Sequence, residues 1–348
     1  MYRLTSIMAA LLALMACGEK ASGPVGYALD PDWPLVPQGI DMGEVSGVAV
    51  DSEGYLFAFH RAGRTMDEAA LEAGPIAADT ILKLDPESGQ VLARFGAGLF
   101  VMPYGLSIDR DDNLWATDSV AHQVIKLSPE GQVLLTIGEY GVAGQDESHF
   151  DGPTDVAFLS SSEVLVADGY GNSRVAHMFA NGTFREEWGS AGNDKGEFHI
   201  VHSVAVNNDD RIYVADRDNE RVQLFDQYGN FLGAIDELVA GRPYGVEVGS
   251  ENTLYIVSTY GPEEGGTRMI KMTSEGAVLA DVEVPQDTLQ HVFGHDIAVA
   301  PNGDVFIGNI RSPGIFKISL QELVTKPVMI EEQVFEAVED DNLIILDQ

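Results

Sequence analysis

The 348 residues predict an all-β fold, a six-bladed β-propeller with four strands per blade. Three observations lead there. Short alternating apolar runs separated by turn residues fill the chain, which holds 37 glycines and no long helical pattern. One strand motif recurs six times, the mark of stacked units that cannot bury their faces alone. Each recurrence also stands fourteen residues ahead of a residue that ends a second strand, an interval that chance alternation would not hold.

From the amino terminus, Met1-Tyr2-Arg3 and the apolar stretch from Ile7 to Ala16 read as a secretory signal, too short for a stable membrane anchor. It runs into Leu14-Met15-Ala16-Cys17, which resembles a bacterial lipobox; Cys17, the only cysteine, would carry the lipid, and an ordinary signal peptide with an incidental cysteine is the alternative. No disulfide can form within the chain. Residues 1–17 are thus expected to be signal and lipobox, 18–37 a linker rich in Gly and Pro, 38–325 the propeller, and 326–348 a C-terminal segment with an acidic tail. An exported lipoprotein of the bacterial outer membrane, periplasm or cell surface is implied. The net charge of −35, from 55 acidic against 20 basic residues, repels nucleic acid and anionic membranes, so the membrane is reached only through the lipid; a monomer is expected.

The six recurrences are Ser46-Gly47-Val48-Ala49-Val50, Tyr104-Gly105-Leu106-Ser107-Ile108, Thr154-Asp155-Val156-Ala157-Phe158, His202-Ser203-Val204-Ala205-Val206, Tyr244-Gly245-Val246-Glu247-Val248 and His295-Asp296-Ile297-Ala298-Val299. Polar turns such as Asp51-Ser52-Glu53-Gly54 lead to second strands that end, in register, at His60, Asp118, Asp168, Asp216, Ser258 and Asn309. Third and fourth strands follow, as in Arg174–Met178 and Phe184–Trp188. Blade six shows no fourth strand after Ile315-Phe316-Lys317-Ile318, and either Val328 to Phe335 or Leu35 to Ile40 is expected to close the ring and cover its edge.

Innermost strands line a propeller's channel, so residues at equal register form a ring: Ser46, Tyr104, Thr154, His202, Tyr244 and His295. Tyr104, His202 and His295 come from blades two, four and six, about 120° apart by six-fold symmetry. Three protein donors with an open fourth position suit a catalytic zinc; channel histidines bonded to water are the plain alternative. Arg61 and Tyr170 follow the ends of second strands, where the turn leads onto the channel face. A guanidinium there suits a carboxylate or an oxyanion, and a phenol near a cation suits proton transfer; a salt bridge and a rim aromatic are the structural alternatives.

The wording Val-Ala-Asp-x-x-Asn-x-Arg-Val resembles the NHL repeat from about residue 44 to about residue 320. Phe59-His60-Arg61, Pro103-Tyr104-Gly105-Leu106, Asp168-Gly169-Tyr170-Gly171-Asn172-Ser173-Arg174, His202-Ser203 and Gly294-His295-Asp296-Ile297 further resemble the peptidyl-α-hydroxyglycine α-amidating lyases. That resemblance implies a metal-dependent lyase that cleaves the C–N bond of an N-acyl-α-hydroxyglycine, a small-molecule or peptide substrate with a carboxylate, to an amide and glyoxylate. It implies zinc, or another divalent transition metal, on His202 and His295, catalytic roles for Arg61 and Tyr170, and a structural calcium on Asp296 with the backbone carbonyls of Val48 and Leu106. The pattern is broken at Tyr104, where the family places its third zinc histidine, and at Phe293, where it often has methionine. A non-catalytic, surface-anchored binding propeller and a calcium-dependent lactonase-type hydrolase are the competing readings.

Overall fold

In the turns after the first strands of blades one, two, four and six, a side-chain oxygen caps the chain reversal. In blade one, Asp51 accepts the backbone N–H groups of Glu53 and Tyr55 at 3.1 and 2.8 Å, and Gly54 supplies the positive φ of +91° that ends the turn. Repeated six times, this hairpin grows into six antiparallel four-stranded sheets, as the computed structural model shows for residues 25–34, 36–66, 69–236, 241–260, 266–284 and 292–322. The sole α-helix among these residues is the single turn Ala70–Ala73. No helix among them is long and apolar enough to cross a membrane.

The fourteen-residue register is the pairing register. Val45 faces His60, Pro103 faces Asp118, Pro153 faces Asp168, Val201 faces Asp216, Pro243 faces Ser258 and Gly294 faces Asn309. In all six pairs the ladder slips immediately afterwards, so Ser46, Tyr104, Thr154, His202, Tyr244 and His295 are bulge residues left out of the pairing.

Second strands such as Leu56–His60 and Val164–Asp168 are buried throughout, whereas outer strands such as Phe231–Ile235 alternate, because only inner strands are covered on both faces by neighbouring blades. One shared core joins Ala49, Phe57 and Phe59 of blade one to Leu106, Leu114 and Ala116 of blade two. The aspartates ending the second strands of blades two, three and four are caps. Asp118 accepts the backbone N–H groups of Val101, Met102, Val120 and Ala121, and Asp168 accepts from Asp151, Asn172 and Arg174. The recurring Ala-Asp ending is therefore structural.

The closing strand corrects the sequence reading. Val25–Leu29 pairs with Ile315–Glu322 as the outer strand of blade six, and Asp30 N–H donates to the Lys317 carbonyl at 2.8 Å. Part of the 18–37 segment is thus sheet rather than linker, and the propeller draws on residues ahead of 38. Of Leu35 to Ile40, the described residues 36–40 form turns and bends; Val328 to Phe335 lies outside the described residues, as do residues 1–17. Contacts divide the chain into Gly26–Gln321, the propeller, and a second unit of Met1–Val25 with Glu322–Gln348, nearly all of it outside the described residues.

Candidate active site

A bulge residue is freed from the ladder and its side chain can be re-aimed. Here all six ring residues line one cavity of about 10 Å³ on the propeller axis, room for about one water. His202 and His295 rings lie 4.8 Å apart between centroids, and Tyr104 lies 5.5 Å from the first and 4.9 Å from the second. Ring residues begin the first strands and sit beside the ends of the second ones, so the loops carrying Arg61 and Tyr170 emerge at this end of the channel. All five residues that the sequence singles out for the metal ring and the chemistry are brought together here.

Hydrogen bonds fix both imidazoles. His202 Nδ1 donates to the Tyr244 carbonyl at 2.6 Å, and His295 Nδ1 donates to the Ser46 carbonyl at 2.7 Å. A carbonyl only accepts, so Nδ1 carries the proton and Nε2 the lone pair in each ring. Burial first, then the charge of His295, holds His202 well below the ordinary 6.5; burial and Arg61 push His295 down to about 3. Two neutral imidazoles with inward lone pairs fit a divalent transition metal. Among the described residues no group of three His, Cys, Asp or Glu gathers at metal-binding distance, so a third donor from the protein would have to be of another kind.

Tyr104 stands where that donor is needed. Its hydroxyl is 2.6 Å from His202 Nε2 and 2.6 Å from the Tyr170 hydroxyl. Because Nε2 can only accept, Tyr104 donates to it, its oxygen accepts from Tyr170, and Tyr170 in turn accepts from Arg217 Nη1 at 3.2 Å. Burial, reinforced by Tyr170, holds the Tyr104 phenol well above its ordinary 10. Two guanidiniums flank this relay. Arg217 lies 5.6 Å from the Tyr170 ring centroid and 5.1 Å from that of Tyr244; Arg61 lies 5.9 Å from Tyr104. Arg61 is itself buried and held by the Pro103 carbonyl at 3.2 Å and by Glu44 at 2.5 Å.

The NHL repeat matches residues 198–225. Peptidyl-glycine alpha-amidating monooxygenase A of Xenopus laevis is 36% identical over 311 residues, covering 83% of this chain and 33% of the relative. A probable peptidyl-alpha-hydroxyglycine alpha-amidating lyase of Caenorhabditis elegans is 33% identical over 304 residues, covering 80% of this chain and 83% of the relative. The chain belongs to the peptidyl-α-hydroxyglycine α-amidating lyase family. Its class, a lyase, follows from that membership. It spans about a third of the length of the monooxygenase relatives it matches. A streptogramin B lyase structure (TM-score 0.60, 13% identity, 85% of this chain and 98% of that one) shares the fold. So does a gluconolactonase from Xanthomonas campestris (TM-score 0.56, 14% identity, 88% and 100%).

Beyond the ring the channel widens to a cavity of about 270 Å³ lined by Val48, Leu106 and Asp296, the residues expected at calcium. Asp296 accepts the N–H groups of Val48 at 2.8 Å and Ile297 at 2.9 Å, and two further carboxylates, Asp155 and Glu247, share the cavity. Burial raises all three, Asp155 to about 6 and Glu247 to about 8, and the Asp155 charge adds to the shifts of Asp296 and Glu247. The three carboxylates do not gather at metal-binding distance, so the hard oxygens that a calcium ion would find here are those of Asp296 and the backbone carbonyls of Val48 and Leu106.

Three site residues escaped the sequence reading. Arg217 follows His202 by fifteen residues, as Arg61 follows Ser46, and Asp155 follows its ring residue directly, as Asp296 does; the register could have found both. Glu247 carries no such signal. His199, three residues before His202, lies outside the ring, with an exposed side chain whose Nε2 is 3.9 Å from Asp218.

Proposed function

We propose that this family member is a metal-dependent lyase that cleaves the C–N bond of an N-acyl-α-hydroxyglycine, releasing an amide and glyoxylate. The observation that carries this reading is the relay Arg217, Tyr170, Tyr104, His202, in which both His202 and His295 are held through Nδ1 to carbonyls and keep their lone pairs on Nε2. His202 and His295, with Tyr104 as the third donor, would hold a zinc or similar ion, which when bound supplies a Lewis acid for a substrate oxygen. Once its own proton has been released to solvent, the Tyr170 phenolate takes the proton of the substrate hydroxyl. The C–N bond then breaks as the aldehyde carbonyl forms, and that proton passes to the departing amide nitrogen. Arg217, bonded to the Tyr170 oxygen, stabilises it while it carries negative charge, and Arg61 faces the substrate carboxylate. We further read Asp296, with the Val48 and Leu106 carbonyls, as holding a structural calcium, and residues 1–17 as the signal that exports and lipidates the protein.

Glyoxylate release from α-hydroxyhippurate tests the reading. Tyr170→Phe is expected to lose about 10²- to 10⁴-fold in kcat, the value of a general base, and His295→Ala to lose both turnover and stoichiometric zinc. Equal rates in wild type and both variants would remove the assigned site.

A further inference from the structure

The three residues that loops bring to the ring are each tied by backbone to the position two residues ahead of a ring residue. Arg61 N–H donates to the Glu44 carbonyl at 2.9 Å, Arg217 N–H to the Ile200 carbonyl at 3.0 Å, and Tyr170 N–H to the Gly152 carbonyl at 3.3 Å. The Tyr170 tie is the longest of the three, and a neighbouring blade reinforces it. Gly152 N–H donates to Nδ1 of His122, which stands between the second and third strands of blade two, at 3.0 Å. Gly152, at φ +76°, packs directly on the tyrosine, since a methyl group there would lie 2.6 Å from Tyr170 Cβ. The preceding residue extends the clamp: the Asp151 carbonyl accepts Gly171 N–H at 2.7 Å, and Asp151 N–H donates to Asp168 at 2.9 Å.

The turn that carries His122 is capped by Asp118, which accepts the N–H groups of Val120 at 3.1 Å and Ala121 at 2.8 Å. It leaves His122 at φ +58°, in the left-handed region where residues other than glycine are uncommon. Glycine fits such a backbone without strain. What the imidazole adds is an acceptor, on a side chain only 17% exposed, for the Gly152 amide. A backbone N–H only donates, so Nδ1 presents its lone pair there. The Asp151 carboxylate, 3.5 Å away, is the other group near this nitrogen.

We propose that His122 is a positioning residue for the reaction: it holds Gly152, and through Gly152 it fixes the Tyr170 phenol within reach of its partners. This rests on the lyase reading for the role of Tyr170 as the base. The Tyr170 hydroxyl lies 2.6 Å from that of Tyr104 in blade two and 3.2 Å from Arg217 in blade four. Both partners lie outside blade three, so a shift of the Tyr170 loop breaks the relay and leaves both imidazoles in place. His122 belongs to blade two, as Tyr104 does, and it sets that loop against the blade that supplies the next member of the relay.

Two substitutions separate the acceptor from the turn. His122→Gly relieves the backbone and removes the acceptor, whereas His122→Asn tolerates the same φ and places an amide oxygen near the position of Nδ1. In glyoxylate release, kcat is expected to fall about 10- to 100-fold in His122→Gly, the effect of a misplaced group, with KM within about twofold; His122→Asn retains most of the wild-type kcat. In a Tyr170→Phe background His122→Gly should cause no further loss, because both changes act through one oxygen. Crystal structures of the wild type and both variants supply a readout that needs no turnover: the 2.6 Å Tyr170–Tyr104 contact lengthens in His122→Gly and persists in His122→Asn. Wild-type kcat in His122→Gly, equal losses in the two variants, or a further loss on top of Tyr170→Phe overturns the proposal. Absence of glyoxylate with wild type, together with a contact that lengthens only in His122→Gly, removes the lyase chemistry and leaves the positioning of Tyr170 standing.

Discussion

Tyr104→His is the most informative single change. In the wild type a metal at His202 Nε2 must displace the 2.6 Å hydrogen bond from Tyr104, and to gain a charged third donor it must also remove the phenolic proton. A phenol at its ordinary 10 resists ionisation at pH 7 by three pH units, about 4 kcal/mol, and burial raises this phenol further. An imidazole at the same position supplies a lone pair without that cost. Phenolate repays part of the cost through its negative charge, so the net gain for Tyr104→His at pH 7 is on the order of 10- to 100-fold in zinc affinity, well inside the 10³-fold that three pH units represent. The pH dependence separates the causes. Binding to wild type expels the Tyr104 proton, so affinity should rise about tenfold per pH unit from 7 to 9; in the variant, whose other ligands are already neutral with His295 at about 3, the slope should be nearly flat. Competition against a chromogenic zinc chelator, using protein lacking residues 1–17, measures both. Equal affinities with equal slopes would place Tyr104 outside the metal's coordination shell and refute the reasoning.

Three further outcomes follow from the same geometry. Raised carboxyl groups bind protons more tightly folded than unfolded, so chelator-treated protein should lose stability as pH rises from about 4.5 toward the value near 8 of Glu247. Glu247→Gln should flatten that slope, and calcium should restore the melting temperature at pH 8 by on the order of 5 °C, readable by calorimetry. Asp168→Ala takes from the buried Arg174 one of its two carboxylates, leaving it Glu187, and also orphans the Asp151 N–H and the Asn172 amide, and should cost about 1 to 3 kcal/mol in urea unfolding. In Gly105→Ala the new methyl would meet the Thr154 carbonyl oxygen at 2.2 Å, a backbone clash expected to lower stability by about 1 to 3 kcal/mol in the same assay.

Much of the blade was legible because its periodicities are local. Alternation names the strands, polar turns name the hairpins, and the fourteen-residue interval is the pairing register itself. The same arithmetic that lines up His202 and His295 also reaches Arg217 and Asp155, so those two were readable in the sequence though not read. Other features come from tertiary placement. The closing strand Val25–Leu29 is five residues whose pairing is non-local, with a partner almost three hundred residues away. The relay is invisible in sequence because its four members come from three blades and its direction depends on which histidine nitrogen faces a carbonyl. Glu247 enters the lower cavity from blade five, at a register position where the other blades carry small or apolar residues, Ala49, Ser107, Ala157, Ala205 and Ala298.

The ring position carries closure and chemistry at once. Ser46 Oγ donates to the Pro103 carbonyl of blade two at 2.8 Å, and Thr154 Oγ1 donates to the Val201 carbonyl of blade four at 2.8 Å. His202 Nδ1 reaches blade five, and His295 Nδ1 reaches back to Ser46 of blade one. Each bond stitches one blade to the next, and in the two histidines it also fixes the tautomer that leaves Nε2 open. Ring closure therefore selects the imidazole form that a metal requires. Tyr104, free of the ladder like its neighbours, bonds through its hydroxyl to the side chains of Tyr170 and His202 rather than to the next blade's backbone, so it is the member of the trio whose identity can change at little cost to the sheet.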